Sequence, residues 1–188
     1  LILAKNAIKH RSVPAVGRTH GQHASIISFG LKFANWAAEM STHLERLDEI
    51  KKRVLICKTL GVVGTGSLMG KNAIKVQERV AKKLGLYSAK VTTQIVPRER
   101  YAEYIFQFAL LGATLEKIAI EIRNLQRTEI AEVSEHFKKG QMGSSAVPTK
   151  RNPIKSERIS SLSKLLRSQI NTSFENIPSW HERDLSNS

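Results

Sequence analysis

The feature that most constrains this chain is an apolar stripe. Tyr104, Phe108, Leu111, Leu115, Ile118, Ile122 and Leu125 step by four and three in strict alternation. That spacing lines one face of a helix, and its heptad rhythm suits nearly parallel helices packed at small crossing angles. Val133 and Phe137 prolong the stripe. The predicted helix of roughly 38 residues is longer than the ~32 Å diameter of a compact domain of this size. Ala109, Gly112, Ala113 and Ala119 offer a second surface of small side chains on which another helix can approach closely. Overlong helices with two apolar faces need partners beyond one chain, so an oligomeric bundle is expected.

Three further helices follow from the same periodicity. Phe29, Phe33, Trp36, Met40, Leu44, Leu47, Ile50, Val54 and Cys57 predict a helix from Ser25 to about Leu60, ended by Gly61 and a glycine-rich turn to Gly70. A shorter helix is expected from about Lys71 to Leu84, with Gly85 as its stop. From Lys138 to Thr149 the period vanishes, and the composition is that of a mobile loop. Asn152 and Pro153 then suit the N-cap and first turn of a helix running to about Glu175. No strand pattern competes. The expected fold class is all-α, a long antiparallel helical bundle, with residues 1–188 as one domain. A start inside an amphipathic segment, without Met, is expected of a piece of a longer chain.

Lys and Arg number 30 against 16 Asp and Glu, a formal net charge of +14 over 188 residues. Such a balance admits nucleic acid, an anionic membrane surface or anionic small molecules. Aromatics are only 6%, and the cations are scattered among Glu along helical faces, as on solvated surfaces. Charge alone leaves the partner open. The single cysteine, Cys57, excludes a disulfide framework and a multi-thiolate metal site, and its place on the stripe reads as core. No apolar run reaches the ~20 residues of a bilayer span, so a soluble protein is expected.

Chemistry concentrates where the loop meets the last helix. Lys150, Arg151, Lys155 and Arg158 crowd a helix N-terminus, where cations are unfavourable unless an anion sits among them. A bound anion is one reading; a solvated basic loop is the other. His20, in Gly17-Arg18-Thr19-His20-Gly21-Gln22, is open between a structural, an exposed and a catalytic histidine. His10, His43 and His136 read as surface residues, and His23 is undecided. The glycines from Gly64 to Gly70 are not a dinucleotide fingerprint, because they follow a helix and their spacing differs.

The run Gly143-Ser144-Ser145-Ala146-Val147-Pro148-Thr149-Lys150-Arg151-Asn152-Pro153 resembles the signature loop of the fumarase/aspartase superfamily. Continued through Ile154-Lys155-Ser156-Glu157-Arg158, it is similar to the adenylosuccinate lyase branch. So are the Gly17–Gln22 run, Thr93-Gln94 with Arg98-Glu99-Arg100, and the stretch from Trp180 to Ser188. Val147 and Thr149 depart from the usual Met and His, which bears on loop packing and substrate preference.

The resemblance implies the central domain of a larger chain, five long helices per protomer and a homotetrameric twenty-helix core with active sites shared between chains. It also implies flanking domains beyond these residues, an isolated fragment without activity, and a cytoplasmic enzyme. No cofactor, metal, nucleic acid or membrane partner is implied. The implied reaction is β-elimination of fumarate from an anionic nucleotide, adenylosuccinate or the succinylated imidazole-carboxamide ribotide. Ser144 would be the base and His20 the acid, with Glu157 holding the histidine's proton. Lys150 and Asn152 would bind the succinyl carboxylates, Lys150 and the helix N-terminus easing the serine's ionisation, under a loop that closes over the substrate. Thr19, Gln94, Arg158, Arg183 and Ser188 match substrate-contacting positions. Argininosuccinate lyase and carboxymuconate cycloisomerase-like enzymes are alternatives within the superfamily, and a basic helical interaction module is one outside it.

Overall fold

The structure is a computed structural model and describes residues 1–138 and 140–186. Its packing separates residues 1–46 from residues 47–188, and each unit has its own logic.

The first unit holds α1 (Ile2–Lys9), β1 (Pro14–Thr19), β2 (Gln22–Ser28) and the start of α2 (Phe29–Val54). The two strands form an antiparallel hairpin whose last pair is Thr19 with Gln22. His20 and Gly21 make its two-residue turn with φ of 53° and 73°. Positive φ at both positions is what a tight hairpin with the native strand twist demands. The helix expected from Ser25 therefore begins at Phe29. Ile26 and Ile27, which continue well into a helical stripe, pair across to Val16 and Ala15 instead. Ser28 caps α2 by accepting the Gly30 amide at 3.1 Å, and it donates to the Arg11 carbonyl at 2.7 Å. A side chain at Gly30 would lie 2.4 Å from the Ala7 carbonyl oxygen, so α1 can cross here only over a glycine. His10 is not simply a surface residue, since its ring stacks on Phe33 at 5.8 Å and meets Phe29 edge-on. His43, also expected at the surface, is buried; that burial lowers its pKa, repulsion from Arg46 adds to the shift, and Glu39 opposes it.

In the second unit, α2 ends at Val54 rather than near Leu60. Residues 55–57 are captured by a pairing that no local pattern announces: β3 (Ile56–Cys57) runs parallel to β4 (Tyr87–Ser88). Cys57 is buried, as expected of core, but on a strand. A 3₁₀ element (Ser67–Asn72) leads into α3 (Ala73–Leu84), and Gly85 stops α3 in the left-handed conformation. Gln77 of α3 is the largest fully buried side chain among the described residues. It accepts the Thr59 amide at 2.8 Å and donates to the Ala89 carbonyl at 2.8 Å and the Ser88 hydroxyl at 3.0 Å.

The long pair α4 (Glu99–Leu125) and α5 (Ile154–Glu175) is antiparallel. Arg98 reaches the Asn176 carbonyl at one end, and Arg123 reaches the Ser160 hydroxyl at the other. Its seam is made of small residues, Ala102, Ala109, Gly112 and Ala119 against Ser156, Ser160, Ser163 and Ser173, all buried. A side chain at Gly112 would come within 3.2 Å of Leu166. The second, small-residue surface expected from the sequence is thus the one α5 occupies, although Ala113 itself is exposed. The large side chains are left facing out: Tyr104 is 43% exposed, Leu115 38% and Leu162 62%. α4 stops at Leu125, twelve residues before Phe137, because the chain turns back and the Glu132 amide bonds the Leu125 carbonyl at 2.9 Å. Among the described residues the helices dominate, with four short strands that the sequence reading did not foresee. No helix of the described residues is long and apolar enough to cross a membrane.

Candidate active site

The segment from Gly143 to Pro153 is folded by its own polar groups. Asn152 does not cap α5. Pro153 holds the cap position, and the Asn152 side chain donates back to the Gly143 carbonyl at 2.9 Å. Gly143 is pressed so close to the chain it meets that a Cβ there would lie 2.0 Å from the Lys150 carbonyl oxygen. Inside this closed loop the Lys150 amide bonds the Val147 carbonyl at 3.0 Å, a turn with Pro148 at its first corner. Ser144 is half-buried, and its hydroxyl oxygen accepts two backbone amides, those of Ala146 and Val147, each at 3.3 Å. An oxygen already facing two N–H donors is favoured in its ionised form.

The start of α5 has an anionic partner that the sequence reading missed. The Glu135 carboxylate accepts the Lys155 amide at 3.1 Å, the Ser156 amide at 2.8 Å and the Ser156 hydroxyl at 2.7 Å. One anion at the start of α5 is therefore the chain's own. Partial burial raises the Glu135 pKa, but the Ser156 hydroxyl, the two amides and the Lys155 charge outweigh it, so the net shift is downward. The amides of Ala146 and Val147 are the groups that face the Ser144 oxygen.

Lys150, Asn152 and Glu157 line an open cleft of about 870 Å³, together with Arg123, Arg127 and Arg151. The two arginines on the α4 side escaped the sequence reading because the helix was carried too far, which made them one more solvated turn. Arg158 is exposed on α5 outside that lining. Arg151 also lies over the Phe137 ring, its guanidinium carbon 5.8 Å from the centroid.

A second group forms around Gln94. Its backbone amide donates to the Glu182 carbonyl at 3.3 Å, which brings Gln94 beside the residue preceding Arg183. Lys58 donates to the Gln94 carbonyl at 2.7 Å and to the Gly61 carbonyl. Gly64, at φ 79°, abuts the Thr92 backbone so closely that a Cβ would lie 2.0 Å from its carbonyl oxygen. That close approach accounts for the glycine at position 64. The stretch after Trp180 is closed by Asp184, which accepts the amides of Trp180 and Ser186 and the Ser186 hydroxyl. Those bonds, the Ser186 hydroxyl first, hold its pKa down to about 2. Ser188 lies outside the described residues. Thr19 and His20 belong to the hairpin tip of the first unit, both exposed.

A family model described as lyase matches residues 1–165. The chain belongs to this lyase family. It is 49% identical over 187 residues to an adenylosuccinate lyase of Pyrococcus abyssi, and 47% identical over 188 residues to that of Methanocaldococcus jannaschii. Each alignment covers 100% of this chain but only 42% and 41% of those relatives, so the chain spans less than half their length. Among solved structures it resembles 3-carboxy-cis,cis-muconate lactonizing enzyme from Pseudomonas putida, with TM-score 0.84 and 30% identity over 98% of this chain and 40% of that one. A fumarate lyase from Mesorhizobium sp. BNC1 is similar, with TM-score 0.83, 31% identity and the same coverage. The helical architecture expected from the sequence is that of this lyase family.

Proposed function

We propose that the intact protein is a carbon–nitrogen lyase that eliminates fumarate from adenylosuccinate, giving AMP, and from the corresponding succinylated imidazole-carboxamide ribotide. The observation that carries the reading is Ser144: a hydroxyl on the signature loop whose oxygen already accepts two backbone amides. In the proposed step Ser144, as alkoxide, removes a proton from the carbon beside a succinyl carboxylate. Negative charge then spreads onto that carboxylate, where Lys150 and Asn152 hold it more tightly than in the ground state. His20 protonates the departing nitrogen, the carbon–nitrogen bond breaks and fumarate forms. Glu157 keeps the histidine's proton in place, and Thr19, Gln94, Arg158, Arg183 and Ser188 contact the substrate.

The active site is proposed to be shared between chains of a cytoplasmic homotetramer. The large apolar side chains that α4 and α5 leave exposed support burial against other subunits. A cycloisomerase of the muconate type is less well supported, because the solved enzyme of that kind is 30% identical while the adenylosuccinate lyases reach 49%. The test is the absorbance change of adenylosuccinate on adding the intact protein. Activity should fall by about 10²–10⁴-fold in Ser144→Ala, the usual cost of losing a positioned base. Full activity in that variant, or turnover of a carboxymuconate instead, would overturn the proposal.

A further inference from the structure

Two residues that no motif marks grip the signature segment from both sides. Gln126, just past the end of α4, donates its side-chain amide to the Arg151 carbonyl at 2.9 Å and accepts the Glu135 amide at 2.9 Å. Glu135 in turn takes the amides of Lys155 and Ser156 and the Ser156 hydroxyl. The chain is therefore held immediately before Asn152 and again immediately after Ile154. Both grips come from the short return between α4 and the loop. By contrast, the side chains from Ser145 to Arg151 are exposed.

We infer that Glu135, acting with Gln126, is a positioning residue for the reaction. It fixes residues 151–156 as a rigid abutment, which sets where Asn152 and Glu157 stand. The inference rests on the lyase reading given above. The physical basis is the number and charge of the contacts: one carboxylate satisfies three donors at a helix start, and charge-assisted bonds of this kind are about twice as strong as neutral ones. Misplacing reacting groups by about 1 Å is enough to cost roughly 10²-fold in rate. Glu135 touches neither the proposed base nor any group assigned to the substrate, so its influence passes through the backbone it holds.

The experiment compares Glu135→Ala and Glu135→Gln with the unchanged intact protein. Kinetics on adenylosuccinate are read together with amide hydrogen exchange across residues 150–157. In Glu135→Ala, kcat should fall by about 10²-fold and KM should rise severalfold, because Asn152 is misplaced. Glu135→Gln, which keeps the shape and one acceptor, should fall between. A residue that served folding alone would lower the fraction of active enzyme, reducing apparent kcat with KM unchanged; that result overturns the inference. Exchange at 155–157 should quicken at least tenfold in Glu135→Ala, with the α4–α5 seam unaltered. Unchanged exchange overturns it as well, whether or not the protein turns over adenylosuccinate. Absence of lyase activity in the unchanged protein would instead strike the functional reading.

Discussion

The side-chain amide of Asn152 donates to the carbonyl of Gly143 at 2.9 Å, tying the last part of the signature loop to its first glycine. One bond thus closes a loop that contains both the proposed base and the lysine meant to receive the substrate's charge. Gly143 is required because the Lys150 carbonyl occupies the space a side chain would need.

Gly143→Ala should open this loop. Its added methyl meets backbone rather than a flexible side chain, so the loop has to shift. Because most of the loop is exposed, the melting temperature should change by no more than a degree or two, while turnover drops by about 10²-fold. Circular dichroism melts beside steady-state rates give the check, and parallel losses in both would contradict it.

His20 separates turn geometry from chemistry. At φ 53° it sits where Asn is tolerated and β-branched residues are not. His20→Asn should leave the melting temperature unaltered and reduce turnover by about 10²–10⁴-fold, the range for losing a general acid. His20→Val should also destabilise the hairpin. Equal activity in the Asn variant would remove the histidine from the mechanism.

Gln77→Leu should be among the most damaging single substitutions in the second unit. It strands the Thr59 amide, the Ala89 carbonyl and the Ser88 hydroxyl in a buried site. Unmet buried polar groups cost about 1–3 kcal/mol each, so a loss of roughly 3 kcal/mol is expected despite the added apolar surface. Denaturant titration followed by helical signal measures it.

Glu135 predicts a pH dependence with a definite sign. Its folded pKa lies below the ordinary 4.5, so ionisation favours the folded state. The stabilisation is complete above the unfolded pKa and disappears as pH falls through the lower, folded value. Melting temperatures taken downward from pH 6 should decline less steeply in Glu135→Gln than in the unchanged protein. Superimposable curves would show that the carboxylate's contacts do not favour its charge.

Leu162→Glu and Leu165→Glu test the outward faces of α5. Both side chains are more than half exposed in the single chain. If they are covered in an assembly, the charged pair should shift the intact protein to a smaller species on size-exclusion chromatography.

What the sequence determined by itself was whatever depends on local periodicity and local chemistry. The α4 stripe, the Gly85 stop, the small-residue face at Ala109 and Gly112, and the helix from Ile154 to Glu175 were all readable, because each is enforced by neighbours three or four residues away. The loop from Gly143 to Pro153 was legible through its resemblance to a family signature.

Other features were decided only when distant segments met. Leu55 to Cys57 left a helical pattern because Tyr87 and Ser88 offered a parallel strand. Ile26 and Ile27 became strand because His20 and Gly21 turned the chain back on itself. The sequence offered Asn152 as the cap of α5, but Asn152 turns back to Gly143, and the first amides of α5 are met by Glu135, about twenty residues upstream. A helix end accepts any carboxylate that folding brings within reach, and reach is a property of three dimensions.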